Sequence, residues 1–273
     1  MARLGLGTVQ FGQAYGISNA QGQVSHTAAR AILARAAEAG VQVLDTAANY
    51  GEAETVLESL DTSPFRIVTK TISVKHGIEA VLERARQSAE ALNADTLLVH
   101  AAADLAQPGL WPALQTLKTE GVFRRIGISI YVADNPAALA ARFRPDVMQL
   151  PFSVLDQRLL ADGTLGRLQE LGVEVHARSI FLQGLLFLDR LPEKLAFAAP
   201  RLAQIKARIQ AAGSTPLAAA LGFVMSRPEI AVALVGVTTV AELDQILAAP
   251  PPPALDWQAL ALDDELVLTP SRW

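Results

Sequence analysis

The chain of 273 residues contains no cysteine. That removes a disulfide framework, a thiolate metal site and a cysteine nucleophile together. It also lacks any excess of charge of one sign. There are 23 basic and 27 acidic residues, a net charge of −4, with no long run of either. A nucleic-acid face or a basic membrane-surface helix is therefore not expected. Long apolar runs are missing too. The longest, Leu217–Met225 and Ile230–Val237, are separated by Ser226-Arg227-Pro228-Glu229, and each falls far short of the ~20 residues that span a bilayer. The opening Met-Ala-Arg-Leu-Gly-Leu-Gly has no continuous apolar core of the signal-peptide kind. The expectation is a cytoplasmic globular protein. His26, His76 and His176 show no metal-ligand spacing, so no metal site is expected.

What the chain does have is alternation. β-rich runs at Arg3–Thr8, Val41–Thr46, Arg66–Lys70, Thr96–His100, Arg125–Ser129, Val147–Leu150, Val173–Arg178 and Val232–Val237 read as strands. Ala/Leu-rich stretches near 27–39, 53–60, 77–92, 110–120, 136–142, 157–171, 201–212, 215–225 and 239–248 read as helices. Ser25 precedes the first, Gly40 follows it, and Ser214-Thr215-Pro216 opens another. Strands alternating with helices imply parallel pairing and right-handed crossovers. Eight strands close a (β/α)8 barrel, and the whole of 1–273 reads as one such domain. The competing doubly wound sheet needs a glycine-rich phosphate loop early on. Gly5-Leu6-Gly7-Thr8-Val9-Gln10 has glutamine where the third glycine belongs, so that reading fails.

The polar residues fall at strand ends. The second strand ends in Asp45, the third in Lys70, the fourth in His100 and the fifth in Ser129, while Gln149 lies near the end of the sixth. Side chains alternate along a strand, so Asp45 shares a face with Val43, and Lys70 with Val68. If those faces point inward, the polar ends converge at the C-terminal mouth, where barrel active sites are built. Tyr50 follows Asp45 by five residues. The long connection Ile180–Pro200 and a tail opening on Pro250-Pro251-Pro252-Pro253 exceed ordinary loops. Mouth loops and this tail are expected to line the pocket. The few aromatics hint at a hydroxylated substrate.

These residues resemble the aldo/keto reductase family. Leu44-Asp45-Thr46-Ala47-Ala48-Asn49-Tyr50-Gly51-Glu52-Ala53-Glu54 is similar to that family's LDTAxxYG-x-x-E segment. Val68-Thr69-Lys70 resembles its TK strand and Leu97-Leu98-Val99-His100 its LLxH strand, and the likeness runs from Leu4 to about Leu247. It implies a catalytic tetrad of Asp45, Tyr50, Lys70 and His100, acting with a nicotinamide cofactor on a small carbonyl or sugar-like substrate. The chemistry suits these types. Hydride arriving at a carbonyl carbon leaves a developing alkoxide that needs a proton. A free phenol, with a pKa near ~10, is a weak donor at neutral pH. A lysine ammonium beside it stabilises the phenolate. A carboxylate holds that lysine charged, and a histidine can donate a hydrogen bond to the carbonyl oxygen.

The resemblance further implies that Ser129 and Gln149 hold the nicotinamide carboxamide. Two departures stand out. Ile130 occupies the place of an asparagine found in many members, and Arg178 that of an aromatic ring over the nicotinamide. A guanidinium can stack on a ring, so Arg178 is a candidate substitute. NADP(H) is the family default, yet Gly236-Val237-Thr238-Thr239-Val240-Ala241-Glu242 carries no basic partner for a 2′-phosphate. Thr238 and Thr239, with free amides at the following helix start, offer an anion seat. Glu242 offers acceptors to an unphosphorylated ribose, so NAD(H) stays open unless Arg178 or Arg201 reaches the adenosine. Two rivals remain: a cofactor-binding regulatory or redox-sensing barrel with little turnover, and a barrel lyase or isomerase acting on a phosphorylated substrate.

Overall fold

A computed structural model describes residues 2–273. Eight parallel strands, β1 (Arg3–Gly7), β2 (Val43–Asp45), β3 (Arg66–Lys70), β4 (Thr96–Val99), β5 (Arg125–Ser129), β6 (Val147–Pro151), β7 (Glu174–Arg178) and β8 (Val232–Gly236), pair in chain order. β8 returns to β1 in register from Arg3↔Val232 to Gly7↔Gly236, which closes the (β/α)8 barrel. The helices are α1 (Val9–Gly12), α2 (His26–Glu38), α3 (Ala53–Glu58), α4 (Ile78–Leu92), α5 (Leu110–Thr119), α6 (Pro136–Phe143), α7 (Arg158–Ala161), α8 (Thr164–Glu170), α9 (Ala199–Ala211), α10 (Pro216–Met225) and α11 (Val240–Leu247). The Ser25 hydroxyl caps α2 and the Thr215 hydroxyl caps α10, as their positions in the sequence suggest. No helix among the described residues is long and apolar enough to cross a membrane.

Most boundaries fall within a residue or two of the sequence reading, and three of the differences have a local reason. β2 begins at Val43 because the Val41 amide still donates to Ala36 at the exit of α2, 3.0 Å away. β4 stops at Val99 because the His100 amide turns to the Thr71 hydroxyl at 3.2 Å. The single helix expected over 157–171 is two, α7 and α8. Gly163 adopts φ 77° between them, and the Asp162 carboxylate takes the Thr164 amide at 2.9 Å.

Val43, Val68, Leu98, Val147, Val232 and Leu234 form a separate apolar cluster, the filling of the barrel. Burying each contributes about 1.5–3 kcal/mol. Because Val43 and Val68 face inward, Asp45 and Lys70, two residues on, do so as well. Gly127 makes this filling possible: a Cβ there would lie 2.6 Å from the Leu98 side chain and 2.2 Å from the Val147 carbonyl oxygen. A second close approach sets the mouth. Gly12, at the end of α1, lies so near the loop after β2 that a Cβ would come within 1.7 Å of the Tyr50 carbonyl oxygen. Gly51, at φ 53°, completes that backbone-to-backbone contact.

The opposite end of the barrel is stoppered by ions. Glu174 receives Arg66 at 2.5 Å, Arg125 at 2.9 Å and the ring of the fully buried His176 at 2.7 Å. Arg125 also reaches Asp95 at 2.8 Å. Burial alone would raise the Glu174 pKa, but the hydrogen bonds from His176 and Arg66 outweigh it and hold the carboxyl below its ordinary range. The sign follows. Glu174 contributes stability above the ordinary glutamate range, and that contribution is lost as pH falls through its depressed value. Glu174→Gln is expected to lower Tm at pH 7 by roughly 3–8 °C, the effect of a partly solvated ion cluster on a domain this size. The gap between variant and wild type should narrow in acid. Calorimetric melts from pH 7 down to pH 3 check this, and a gap that widens in acid would contradict it.

Candidate active site

The mouth is assembled from residues that leave the barrel at its C-terminal end. Lys70 is 1% exposed and Asp45 is 5% exposed. The lysine ammonium donates to Asp45 Oδ1 at 2.6 Å and to the Thr46 carbonyl at 2.8 Å. The second carboxylate oxygen receives the Gln149 amide nitrogen at 2.6 Å, from the far side of the barrel. A buried ammonium would ordinarily release its proton. Burial does pull the Lys70 pKa down, but the Asp45 carboxylate and the phenol of Tyr50 more than offset it, and the value ends above the ordinary one. A charged lysine is thus fixed beneath the pocket.

Tyr50 lies on the turn after β2, with the Lys70 ammonium 4.8 Å from its ring centroid. Its ring meets His100 edge-on at 5.7 Å between centroids. Burial and then the Lys70 charge push the His100 pKa down to about 4, against an opposing pull from Asp45 and with a smaller downward push from Arg178. At neutral pH this imidazole is an uncharged hydrogen-bonding group. The four residues drawn together by the sequence reading are therefore neighbours. Glu54, from the same motif, has another task. Its buried carboxylate takes the Thr69 hydroxyl, the Ser88 hydroxyl and Arg84, tying α3 to β3 and α4.

These groups open on a cavity of 810 Å³ that runs from Asp45, Tyr50 and His100 past Ser129 and Gln149 to Gly236, Thr238 and Glu242. Gln149 is fully buried and its Oε1 has no partner. Since Asp45 must face the amide NH₂, the carbonyl oxygen, on a residue that lines the cavity, is left without a donor. That suits a primary amide beside Ser129. The loop after β7 lines the cavity through Phe181, Gln183 and Phe187, so the long 180–200 connection belongs to the site as far as Leu188. Ser179, Leu182 and Gln183 all have positive φ there, a strain usually held where function needs a shape. The Gln183 side chain accepts from the Ile17 amide at 3.3 Å and donates to the Tyr15 hydroxyl at 3.4 Å.

Other expectations are corrected. The C-terminal tail does not line this cavity. Instead Leu262 pairs with Leu155, Gln157 with Trp257, and Arg201 with the carbonyls of Ala259 and Ala261, all away from the mouth. Arg201 is thus committed to the tail. Thr239 is absent from the cavity wall, because its hydroxyl caps α11 by accepting the Glu242 amide at 3.1 Å. Just ahead of α11, Glu242 folds back so that its carboxylate takes the Thr238 amide at 2.6 Å and the Thr238 hydroxyl at 3.1 Å. Arg178 keeps its expected place in the cavity wall, where it lies against Tyr131, its guanidinium carbon 4.5 Å from the ring centroid, and donates to the Ile130 carbonyl at 3.0 Å. Tyr15 and Tyr131 were not anticipated, for neither sits in a motif. With Tyr50 they are the three tyrosines of the chain, and all three line this one cavity on loops after β1, β2 and β5. Burial raises the Tyr15 pKa, against an opposing pull from the Arg178 charge. Among the described residues no group of three His, Cys, Asp or Glu is placed to hold a metal ion.

Comparison with known proteins agrees with this architecture. Uncharacterized oxidoreductases of Mycobacterium bovis and Mycobacterium tuberculosis are each 29% identical, over 91% of this chain and 84% of their own length. Among solved structures, an aldo-keto reductase from Bacillus halodurans, in holo form, superposes with a TM-score of 0.76 at 21% identity. That match covers 94% of this chain and 90% of the other. An aldo-keto reductase from Klebsiella pneumoniae in complex with NADPH superposes with a TM-score of 0.68 at 23% identity, over 90% and 84% of the two chains. At such identities these structures speak for the fold alone. The sequence model of the Aldo/keto reductase family matches residues 3–260, all eight strands and nearly the whole chain. On that match the chain belongs to the aldo/keto reductase family.

Proposed function

We propose that residues 1–273 form one catalytic domain, an NAD(P)(H)-dependent reductase of a small aldehyde or ketone. In the reverse direction it would oxidise a sugar-like alcohol or aldose. The observation that carries this reading is the buried Lys70–Asp45 pair at 2.6 Å, directly beneath the one phenol that meets His100. A charged lysine held in so dry a place has a clear use where a phenol must part with its proton.

The roles follow from the contacts. Tyr50 gives its proton to the carbonyl oxygen as negative charge builds there, or takes one back when an alcohol is oxidised. Lys70 stabilises the phenolate left behind, and Asp45 keeps Lys70 charged and aimed. His100, neutral with its pKa near 4, can donate a hydrogen bond to the same oxygen without competing for the proton. The unpaired Oε1 of Gln149, the Ser129 hydroxyl and the Gly236–Thr238 turn fit a nicotinamide dinucleotide, the carboxamide at the first two and the adenosine towards the turn. When bound, that cofactor supplies the hydride. Mechanism and catalytic roles are tested together by Tyr50→Phe. Turnover of a good aldehyde should fall by the ~10²–10⁴ typical of a lost general acid. Cofactor affinity, read by fluorescence titration, should hardly change. Undiminished turnover would assign the proton to another group. Sustained turnover by the wild type also separates this reading from a regulatory barrel, which would oxidise its bound cofactor once and slowly.

For the adenosine end, the Glu242 carboxylate already occupies the Thr238 amide, the seat a 2′-phosphate would need. A phosphate there meets like charge and no basic side chain. NADP(H) is the family default, but in this chain its advantage over NAD(H) should be modest or reversed. Glu242→Gln keeps an acceptor for Thr238 and removes the charge. It should improve NADPH binding relative to NADH by roughly tenfold, the scale of one screened like-charge contact. Titration of both cofactors into both proteins checks this. A wild-type preference for NADPH above about a thousandfold, or no change in the variant, would contradict it.

A further inference from the structure

Arg66, Arg84, Arg125 and Arg158 are partly buried and each hold a carboxylate within 4.0 Å. Arg178, Arg201 and Arg227 are partly buried and hold none among the described residues, and of these three Arg178 is the one that lines the reaction cavity. The residue is half-buried, its guanidinium carbon lies over the Tyr131 ring at 4.5 Å from the centroid, and it forms part of the wall of the reaction cavity. Of its five N–H donors, one reaches the Ile130 carbonyl at 3.0 Å and another the Ser179 hydroxyl at a weak 3.5 Å. Asp45, in the same wall, is paired with Lys70, and the Glu242 carboxylate, where the cavity runs out past Gly236, is hydrogen-bonded to the Thr238 amide. Arg178 is left as a positive charge in the wall with no carboxylate of the described residues within 4.0 Å.

We propose that the substrate carries a carboxylate in addition to its carbonyl, and that the Arg178 guanidinium, set on the Tyr131 ring, is the group that takes it. This rests on the reductase reading of the site. A guanidinium matches a carboxylate with two parallel hydrogen bonds, and stacking on an aromatic ring fixes the plane in which it does so. The location suits the reacting end of the cavity, because the charge of Arg178 is felt by both His100 and Tyr15. A small oxo acid or a semialdehyde of a dicarboxylic acid has the required chemistry. A phosphate of the dinucleotide offers the same kind of oxyanion, so the experiment must separate the two sources.

Two measurements do this on the intact protein. In steady-state assays 4-carboxybenzaldehyde is compared with 4-formylbenzamide, which has the same shape without the charge. The acid should have a KM lower by about tenfold to a hundredfold with similar kcat, the worth of a charge-assisted pair of hydrogen bonds. In Arg178→Met that ratio should collapse to about one, and in Arg178→Lys, a point charge without the fork, part of it should return. In calorimetry, benzoate and benzamide are titrated into the NADH-saturated protein, which reads the same preference without turnover. An acid-to-amide ratio near one in the wild type overturns the proposal. So does an unchanged ratio in Arg178→Met accompanied by weaker NADH binding, since the charge would then serve a cofactor phosphate. If no aldehyde turns over but benzoate is preferred and Arg178→Met abolishes that preference, the anion site stands and the reductase reading falls.

Discussion

A lysine ammonium 1% exposed to solvent, 2.6 Å from a carboxylate that is itself buried, constrains everything around it. Taking two such charges out of water costs several kcal/mol per ion, and their attraction offsets this only when the remaining hydrogen-bonding capacity is also satisfied. Here it is. Lys70 has the Thr46 carbonyl as well as Asp45, and Asp45 has Gln149 as well as Lys70. The pair therefore needs β2, β3 and β6 at fixed spacing across the barrel, which is what the closed sheet supplies. Replacing it with apolar residues would often leave a protein as stable or more so. Its presence beneath a phenol is better explained by the chemistry above it than by the fold.

Other constraints bring the loop-borne parts of the site to this fixed point. The contact of Gly12 with Gly51 lets the turn carrying Tyr50 settle against α1, and any side chain at Gly12 would push it away. Thr71 holds the backbone of His100 where β4 ends. Gln183 joins the loop after β7 to the loop after β1 through Ile17 and Tyr15, so the cavity is roofed by two long connections that meet. The ionic cluster of Glu174, Arg66, Arg125 and His176 closes the opposite end and leaves the mouth as the open side. Scaffold and site thus divide along the barrel axis, with stability at one end and chemistry at the other.

How much of this was legible in the sequence depended on whether the information was local. Strand periodicity placed Val43 with Asp45 and Val68 with Lys70, and closure of eight strands then required the polar ends to converge. Glu54 was visible as part of a motif, but its bonds to Thr69, Arg84 and Ser88 depend on how α3 packs, which no spacing encodes. Tyr15 and Tyr131 lie on loops without periodicity, and only the rarity of tyrosine in the chain marked them. The Thr238 part of the expected anion seat is taken because Glu242, one helical turn on, folds back over it. The tail, expected at the mouth, is drawn aside by Arg201 and Leu155. In each case the deciding contact joins residues whose relation appears only once the chain is folded.

The dependence of the chemistry on the buried pair can be measured without leaving a lone charge in the core. The double variant Asp45→Asn, Lys70→Met removes both charges together, so no uncompensated ion destabilises the barrel. The deciding quantity is the single-turnover rate of NADH oxidation by a saturating aldehyde, measured by rapid mixing alongside NADH affinity and thermal melting. The account predicts a folded protein that binds NADH within a few fold of the wild type and reduces the aldehyde at least ~10³-fold more slowly, as expected when a general acid loses the charge that supports it. A folded, cofactor-binding double variant that reduces the aldehyde at close to the wild-type rate would contradict it.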